Sequence, residues 1–392
     1  MFGDGTGELK APAPPAAGPA VASVAGGPTL LALEGEWRAL AAEAIEPNAF
    51  YSPALLLPAL EAFAADGPEV VIVRDGGERL IGLAPIAPLR GYSRLPVPYI
   101  ATWMHKHCFF AAPLVRAGDE HAFFRAFFDV ADKRGAFLRL RHLDADGPLY
   151  AAAAAVAAET GRLVSPSARY ERAMLKAPWR TDDYLSHSLR GKHRKDLRRR
   201  RARLEEAGTV RFELFGNGDD LTVWTEEFLA IEAAGWKGAG GTALAQEQSS
   251  KRFFEEAVRR ARAAGDLQFF RLRTGDQTIA SAVNFRAGNA SYAFKIAYDE
   301  SYARFSPGVM IEIDIMRALE ASGIARIDSC AKVEHPMINR LWRERRRIAA
   351  LNISRRDMAS KALFRVLMML EKAAEKAREE NAPPADADDD DL

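Results

Sequence analysis

The sequence predicts an α/β fold of two tandem units, each a mixed, mostly antiparallel sheet flanked by helices. Two stretches, VVIVRDGGERLIGLAPI at 70–86 and QFFRLRTGDQTIASAVNF at 268–285, each have the pattern of a strand, a glycine-containing turn and a strand. A helix–strand pair follows each hairpin further along the chain. The length of 392 residues suits two domains of roughly 100–200 residues each. We therefore expect a duplicated α/β unit.

The first unit begins with two helical patterns, then alternates strands and helices. Apolar periodicity and turn residues place its helices at Trp37–Ala44, Tyr51–Ala65, Glu120–Lys133 and Leu149–Thr160. The same patterns place its strands at Val70–Val73, Leu80–Pro88, Pro96–Met104, Pro113–Val115 and Phe137–His142.

The second unit opens with a long basic helix and ends with an amphipathic one. Its predicted helices are Thr181–Gly208, Thr222–Ala234, Gln246–Ala264, a segment from Val309 to Leu319, and Met358–Glu380. Its predicted strands are Val210–Leu214, Gln268–Thr274, Ile279–Arg286, Asn289–Ile296 and Ile324–Cys330.

The two ends of the chain have compositions typical of disorder. Residues 1–27 are rich in Pro, Ala and Gly and lack the pattern of a signal peptide, and residues 381–392 end in DADDDDL. No stretch approaches the eighteen or so apolar residues of a membrane span, so we expect a cytoplasmic protein. Peripheral membrane contact by the last helix is a minor alternative.

Charge and cysteine content exclude several classes of protein. The net charge of +1 gives no general reason to expect nucleic acid as a partner. Cys108 and Cys330 are too few for a disulfide framework, and neither has the spacing of a zinc site. His105 and His107 alternate as two ligands on a strand would, but no third ligand is near, so we expect no metal.

The run FKIAYDESYARFSPG at 294–308 predicts a strand, a short polar loop and the start of a helix. Such a loop leaves backbone N–H groups free beside the positive end of the helix dipole, which suits a phosphate or pyrophosphate. An ordinary strand-to-helix turn remains the alternative, since Ser-Pro-Gly is a common turn string.

Several strings, in this order, resemble one protein family. They are GLAPIAPL at 82–89, TWMHKHCFFAAPLV at 102–115, GKHRKDLRRRRARLEEAG at 191–208, EAAGWKGAGGTALA at 232–245, FKIAYDESYARFSPGVMI at 294–311 and DSCAKVEHPMINRLWRERRRI at 328–348. The chain resembles the acetyltransferase-like proteins of the GNAT superfamily associated with bacterial cellulose and exopolysaccharide synthesis (the CelD type), which are related to the Fem peptidyltransferases. The resemblance covers about 29–353.

The resemblance implies two tandem GNAT-like domains, at residues 28–178 and 179–356, followed by a helix at 357–380. It implies acyl transfer from an acyl-CoA, with acetyl expected, to an amine or hydroxyl of a small-molecule or glycan-type acceptor. The pyrophosphate of CoA would lie on Arg304, Phe305, Ser306, Pro307, Gly308 and Val309. This loop departs from the usual glycine-rich signature, because only Gly308 remains and Pro307 has no N–H.

Acyl transfer needs a base for the acceptor, a donor for the oxyanion and an acid for the leaving thiolate. The candidate bases are Glu232, Asp328 and His335, and the candidate acids are Tyr298 and Tyr302. Asp328 follows a strand after the CoA-type helix, a place that faces the cleft in α/β sheets, although a loop-capping role is as good an interpretation.

Five residues are candidates for contacts with the acceptor. Trp236 and Lys237 follow a helix in a glycine-rich segment and suit a lid, or else a C-cap at Gly235 turns Trp236 onto the core. Lys295 lies in an apolar strand, where it needs a partner if buried. His335 precedes Pro336 at a helix start, and His105 is expected to line the cleft between the domains.

The basic segment Arg190–Arg203 has nine Lys or Arg residues and one acid, Asp196. It suits phosphates of CoA, an anionic polymer, tRNA or anionic lipid. Two alternatives to an acyl-CoA enzyme therefore remain open. One is an aminoacyl-tRNA-dependent transferase of the Fem kind, and the other is a non-catalytic scaffold in a polysaccharide synthesis system.

Overall fold

The computed structural model describes residues 19–64, 67–92 and 95–380 of the chain. The strands within this part are β1 Val21–Ala25, β2 Glu69–Arg74, β3 Leu80–Tyr92, β4 Leu95–Thr102, β5 Leu114–Val115, β6 Phe137–Asp144, β7 Val164–Lys176, β8 Val210–Leu214, β9 Leu267–Thr274, β10 Gln277–Ala287, β11 Ala290–Tyr298, β12 Arg326–Asp328 and β13 Glu344–Ser354.

The helices lie on the two faces of these strands. They are α1 Gly27–Ala32, α2 Glu34–Glu43, α3 Pro53–Phe63, α4 Glu120–Asp132, α5 Pro148–Glu159, α6 Thr181–Ser188, α7 Gly191–Ala207, α8 Leu221–Ala234, α9 Trp236–Ala239, α10 Gln248–Ala264, α11 Pro307–Leu319, α12 Pro336–Leu341 and α13 Met358–Glu380. None of the helices in the described part is long and apolar enough to cross a membrane.

The strands form one continuous sheet in the order β1-β2-β3-β4-β6-β13-β7-β12-β11-β10-β9-β8, with β5 on β3. Both predicted hairpins are present, as β2–β3 and β9–β10. The pairs β4–β6 and β11–β12 are parallel, and the other pairs are antiparallel. The strands from β1 to β13 and the strands from β8 to β7 therefore follow the same order of pairing, with one parallel pair in each half.

The packing of helices on the sheet follows from amphipathic helices and from strands that are buried on both faces. In α10, Phe253, Phe254, Ala257 and Val258 are buried on one stripe, and the helix ends at Gly265 in the left-handed region (φ 76°). The strand β3 is buried over its first eight residues, as expected where both faces of a sheet are covered.

Two central strands, β7 and β13, are absent from the sequence prediction, and they change the expected domain division. β7 lies within the predicted first domain but pairs with β12, and β13 lies within the predicted second domain but pairs with β6. The first half of the sheet therefore includes a strand from the C-terminal part of the chain, and the second half includes a strand from the N-terminal part. A boundary at 178/179 does not separate two independent sheets.

Two further expectations need correction. Residues 21–25 of the expected disordered leader form β1, because they pair with β2 along its free edge; residues 1–18 and the acidic tail lie outside the described residues. The single helix expected over Thr181–Gly208 is divided into α6 and α7, since Leu189 and Arg190 have extended backbone conformations.

Candidate active site

The strands β11 and β12 diverge, and a cleft opens where they part. They pair only between Ala290–Tyr292 and Arg326–Asp328, while β11 continues to Tyr298. The cleft has a volume of about 480 Å³. Its lining includes six of the residues predicted from the sequence, namely Glu232, Trp236, Lys237, Tyr298, Gly308 and His335.

A buried carboxylate that lines this cleft has two lysines beside it. Glu232 lies near the end of α8, and its Oε2 accepts a hydrogen bond from the Leu244 N–H at 2.7 Å. Its Oε1 lies 3.6 Å from Lys237 Nζ and 3.4 Å from Lys295 Nζ. The glutamate side chain is fully buried. Lys295, whose partner the sequence left open, is therefore half of an ion pair with Glu232.

Lys237 lies in α9, the single helical turn that follows α8. Its Nζ donates to the Ile296 carbonyl at 2.6 Å, on the part of β11 beyond β12. Burial lowers the pKa of Lys237 to about 8, with Lys295 acting in the same direction and Glu232 opposing. Lys237 can therefore exchange a proton close to neutral pH.

The short helix α9, which carries Lys237, requires a glycine. A Cβ on Gly238 would lie 1.8 Å from the Ala233 carbonyl oxygen. Trp236 lines the cleft with 60% of its surface exposed, and its backbone N–H donates to Glu300 Oε1 at 2.5 Å. Trp236 thus lies outside the core, as the lid interpretation requires.

His335 caps α12, as the sequence predicted. Its Nδ1 accepts from the Ile338 N–H at 3.4 Å. Burial lowers the pKa of His335, which favours the neutral ring at pH 7. With Nδ1 as the acceptor, the neutral ring carries its proton on Nε2, so His335 is a donor in this conformation.

The loop expected to hold pyrophosphate has few free N–H groups. Ser306 has φ 56° and caps α11, and its carbonyl accepts from both Val309 and Met310 N–H. Since Pro307 has no N–H, the amide of Gly308 is the remaining one in the first turn. Gly308 packs closely, because a Cβ there would lie 3.3 Å from the Tyr298 ring.

Positive charge near this loop comes from two arginines. Arg304 is exposed and lies over the Phe305 ring at 4.7 Å. Arg200, from the basic helix α7, donates to Ser306 Oγ at 2.5 Å. No local pattern in the chain indicates that α7 packs on this loop, because the contact joins residues 106 apart.

Asp328 does not face the cleft, and the loop-capping interpretation is the one that the structure supports, since its Oδ1 accepts a hydrogen bond from the Cys330 N–H at 2.9 Å. Its side chain is 1% exposed, and its Oδ2 lies 2.6 Å from Arg172 Nη2 and 2.7 Å from Arg346 Nη1. Burial alone would raise its pKa, but the two guanidiniums lower the pKa to about 2. Asp328 is an ion-pair anchor between β12, β7 and β13, not a base.

His105 does not line this cleft and instead lies between the two halves of the molecule, where its ring contacts Phe253 of α10 with centroids 5.1 Å apart. It follows the end of β4 in a turn, so it does not share a strand face with His107. Its ring stacks on Phe63 with centroids 4.8 Å apart, and burial lowers its pKa to about 3. No group of three or more potential metal ligands occurs within the residues described above.

Comparison with known proteins identifies the class of fold. Residues 191–335 match the sequence profile of the Acetyltransferase (GNAT) domain family. FemX is similar in structure, with a TM-score of 0.57 at 10% identity over 86% of this chain and 98% of that one. A conserved protein from Bacteroides thetaiotaomicron VPI-5482 gives 0.54 at 12% identity over 83% and 97%.

A third similar structure is the C-terminal domain of a putative lysylphosphatidylglycerol synthetase from Agrobacterium fabrum, with a TM-score of 0.53 at 12% identity, over 87% of this chain and 96% of that one. No curated protein matches the sequence. At these identities the similar structures bear on the fold alone, and they confirm the predicted tandem α/β architecture. Residues 191–335 thus match a GNAT acetyltransferase domain, and the chain as a whole is similar in fold to FemX.

Proposed function

We propose that this protein is an acyltransferase that moves an acyl group, with acetyl the first to test, from acyl-CoA to an amine or hydroxyl. The acceptor is a small molecule or a glycan-type molecule, in polysaccharide or cell-envelope biosynthesis. One observation carries the proposal: the divergence of β11 and β12 opens a cleft that contains Glu232, Lys237 and Tyr298. The match of residues 191–335 to a GNAT domain supports it.

The residues of the cleft supply the proton transfers. When bound, the thioester supplies an activated acyl carbon. Lys237, with a pKa of about 8, accepts the proton of the attacking amine or hydroxyl, and Glu232 stabilises the ammonium that forms. Tyr298 gives its proton to the departing sulfur. A new C–N or C–O bond replaces the C–S bond, and the proton balance is restored from solvent.

Backbone and loop groups would position the thioester. The part of β11 beyond Tyr292 has no partner on the β12 side, so backbone N–H groups there suit a developing oxyanion. Arg200, Arg304 and the Gly308 amide are the groups that would hold the pyrophosphate. Arg304 contributes most of the positive charge here, because Arg200 Nε also lies 2.7 Å from Asp196 Oδ2, and the number of backbone donors is small.

Calorimetry with acetyl-CoA tests the proposal. Gly308→Trp should abolish the binding heat, because the new ring would occupy the space beside Tyr298 and Met337. Gly35→Trp is the matched control, since nothing lies within 4 Å of a Cβ at that position. It should bind as the wild type does.

Two outcomes would contradict this assignment. Absence of heat from the wild-type protein at millimolar acetyl-CoA would remove CoA binding and favour the scaffold alternative, which the few free N–H groups of the loop support. Unchanged affinity in Gly308→Trp would move the binding site away from the loop.

A further inference from the structure

A second pocket, unconnected with the chemistry above, is lined by cationic side chains. It has a volume of about 430 Å³, within the range of small-ligand sites. Five basic residues line it, Arg190, His193, Arg340, Arg343 and Arg345, and its lining includes no carboxylate. We propose that this arginine pocket binds a phosphate ester of a small, water-soluble molecule.

Two of its guanidiniums are fixed by neutral acceptors. Arg343 Nη1 donates to the His187 carbonyl at 3.0 Å. Arg345 donates to the Trp342 carbonyl at 2.6 Å and to the Asn339 carbonyl at 3.1 Å. Carbonyl oxygens orient a guanidinium without cancelling its charge. Both side chains are therefore preorganised cations with N–H groups left for an anion.

The next arginines along the chain differ from Arg343 and Arg345 in their partners. Arg346 pairs with Asp328 and Asp144, and Arg347 pairs with Asp146. For Arg343 and Arg345, the described residues provide no carboxylate within ion-pair distance. Glu344, which lies between them, accepts a hydrogen bond from the Tyr184 hydroxyl at 2.6 Å. This segment thus contains both arginines paired with carboxylates and arginines whose charge is uncompensated.

The start of α7 adds a second contribution. Arg190, which caps this helix of 17 residues, makes no side-chain capping hydrogen bond, and the first turn has no acidic residue. Arg190 and His193 both line the pocket. The helix dipole and the unused N–H groups of the first turn therefore favour an anion at the place where the arginines converge.

Phosphate matches these groups better than a single carboxylate does. Guanidiniums bind phosphate oxygens through paired N–H donors, and a phosphate has enough oxygens to engage several arginines at once. The pocket shares α12 with the cleft, since residues 336 and 337 line the cleft and residues 339 and 340 line the pocket. A ligand could occupy the pocket whether or not the cleft binds CoA.

The test uses inorganic pyrophosphate as the probe, added to the full chain and followed by calorimetry. Arg343→Gln with Arg345→Gln should weaken binding by at least about tenfold, because two charge-assisted contacts are lost. The matched control is Arg347→Gln with Arg356→Gln, which removes the same charge from exposed arginines paired with Asp146 and Asp129. The control should keep wild-type affinity.

Three results would overturn the proposal: equal weakening in both double variants, unchanged affinity in the pocket variant, or equally tight binding of citrate, which would mean general attraction of polyanions. Arg190→Gln provides an independent check if the double variant is poorly folded, since it changes one exposed side chain and should also weaken pyrophosphate binding. Because the probe would also occupy the loop proposed for the CoA pyrophosphate, the comparison of the two double variants is repeated in the Gly308→Trp background, where the difference between them should persist. Failure of acetyl-CoA binding would leave that difference unaffected.

Discussion

Glu312 gives the most quantitative prediction, because it is a carboxyl buried in α11 without a compensating charge. The residue is 6% exposed, and the described residues contain no ion-pair partner for it. Burial raises its pKa from 4.5 to about 7. We predict that Glu312→Gln makes the protein more stable at alkaline pH and has much less benefit in acid.

The magnitude follows from the pKa difference. A shift from 4.5 to about 7, at about 1.4 kcal/mol per unit, corresponds to about 3 kcal/mol. The folded state binds the proton more tightly than the unfolded state does. This contribution to stability is therefore fully present below pH 4.5 and lost as the pH rises through 7. Glutamine cannot ionise, so the Glu312→Gln variant does not lose this stability as the pH rises.

Urea unfolding at several pH values between 5 and 8.5 measures the effect. The difference in the free energy of unfolding between Glu312→Gln and wild type should rise by about 2.5 kcal/mol across this range. Glu46, whose pKa burial also raises to about 7, is present in both proteins and cancels from the difference. Glu226→Gln, at an exposed position in α8, controls for the substitution itself. A difference that does not change with pH would refute the reasoning.

Two further substitutions test the supports of the cleft. Asp328→Asn should lower the free energy of unfolding at pH 7 by about 3–5 kcal/mol in urea titration, since it leaves two buried guanidiniums without their shared carboxylate; a loss below about 1 kcal/mol would contradict the anchor role. Gly238→Ala should displace α9 and Lys237, because its Cβ would meet the Ala233 carbonyl. An amide NMR spectrum should show changes centred on residues 233–244, whereas Gly35→Ala should leave that region as in the wild type.

Local patterns were sufficient to predict most of the elements but not the centre of the sheet. Hairpins and amphipathic helices have short-range signals, and they were predicted with small errors at their ends. β7 and β13 are interrupted by charged residues, including Arg172 and Arg346, which are typical of exposed segments. These arginines are buried only because Asp328 meets them from a distant part of the chain.

The candidate site shows the same limit. Glu232 and Lys237 are close in sequence, and their shared turn was recognisable from its glycines. The pairing of Glu232 with Lys295 and the contact between Arg200 and Ser306 join residues 63 and 106 positions apart, and no local pattern encodes them. The role of Asp328 stayed open between a base and a loop cap for the corresponding reason, since a strand-end carboxylate has the same sequence whether it faces a cleft or two buried arginines.

The connection between β12 and β13 joins the two sites to the centre of the sheet. Asp328 ends β12, and Arg346 lies near the start of β13; their ion pair at 2.7 Å closes the loop of chain between them. That loop contributes His335 to the cleft and Arg340 to the arginine pocket. Because the paired side chains are almost fully buried, the loop ends are held at fixed positions. The central strands β7 and β13, through which the two halves of the sheet pair, therefore also support the loop that carries residues of both proposed binding sites.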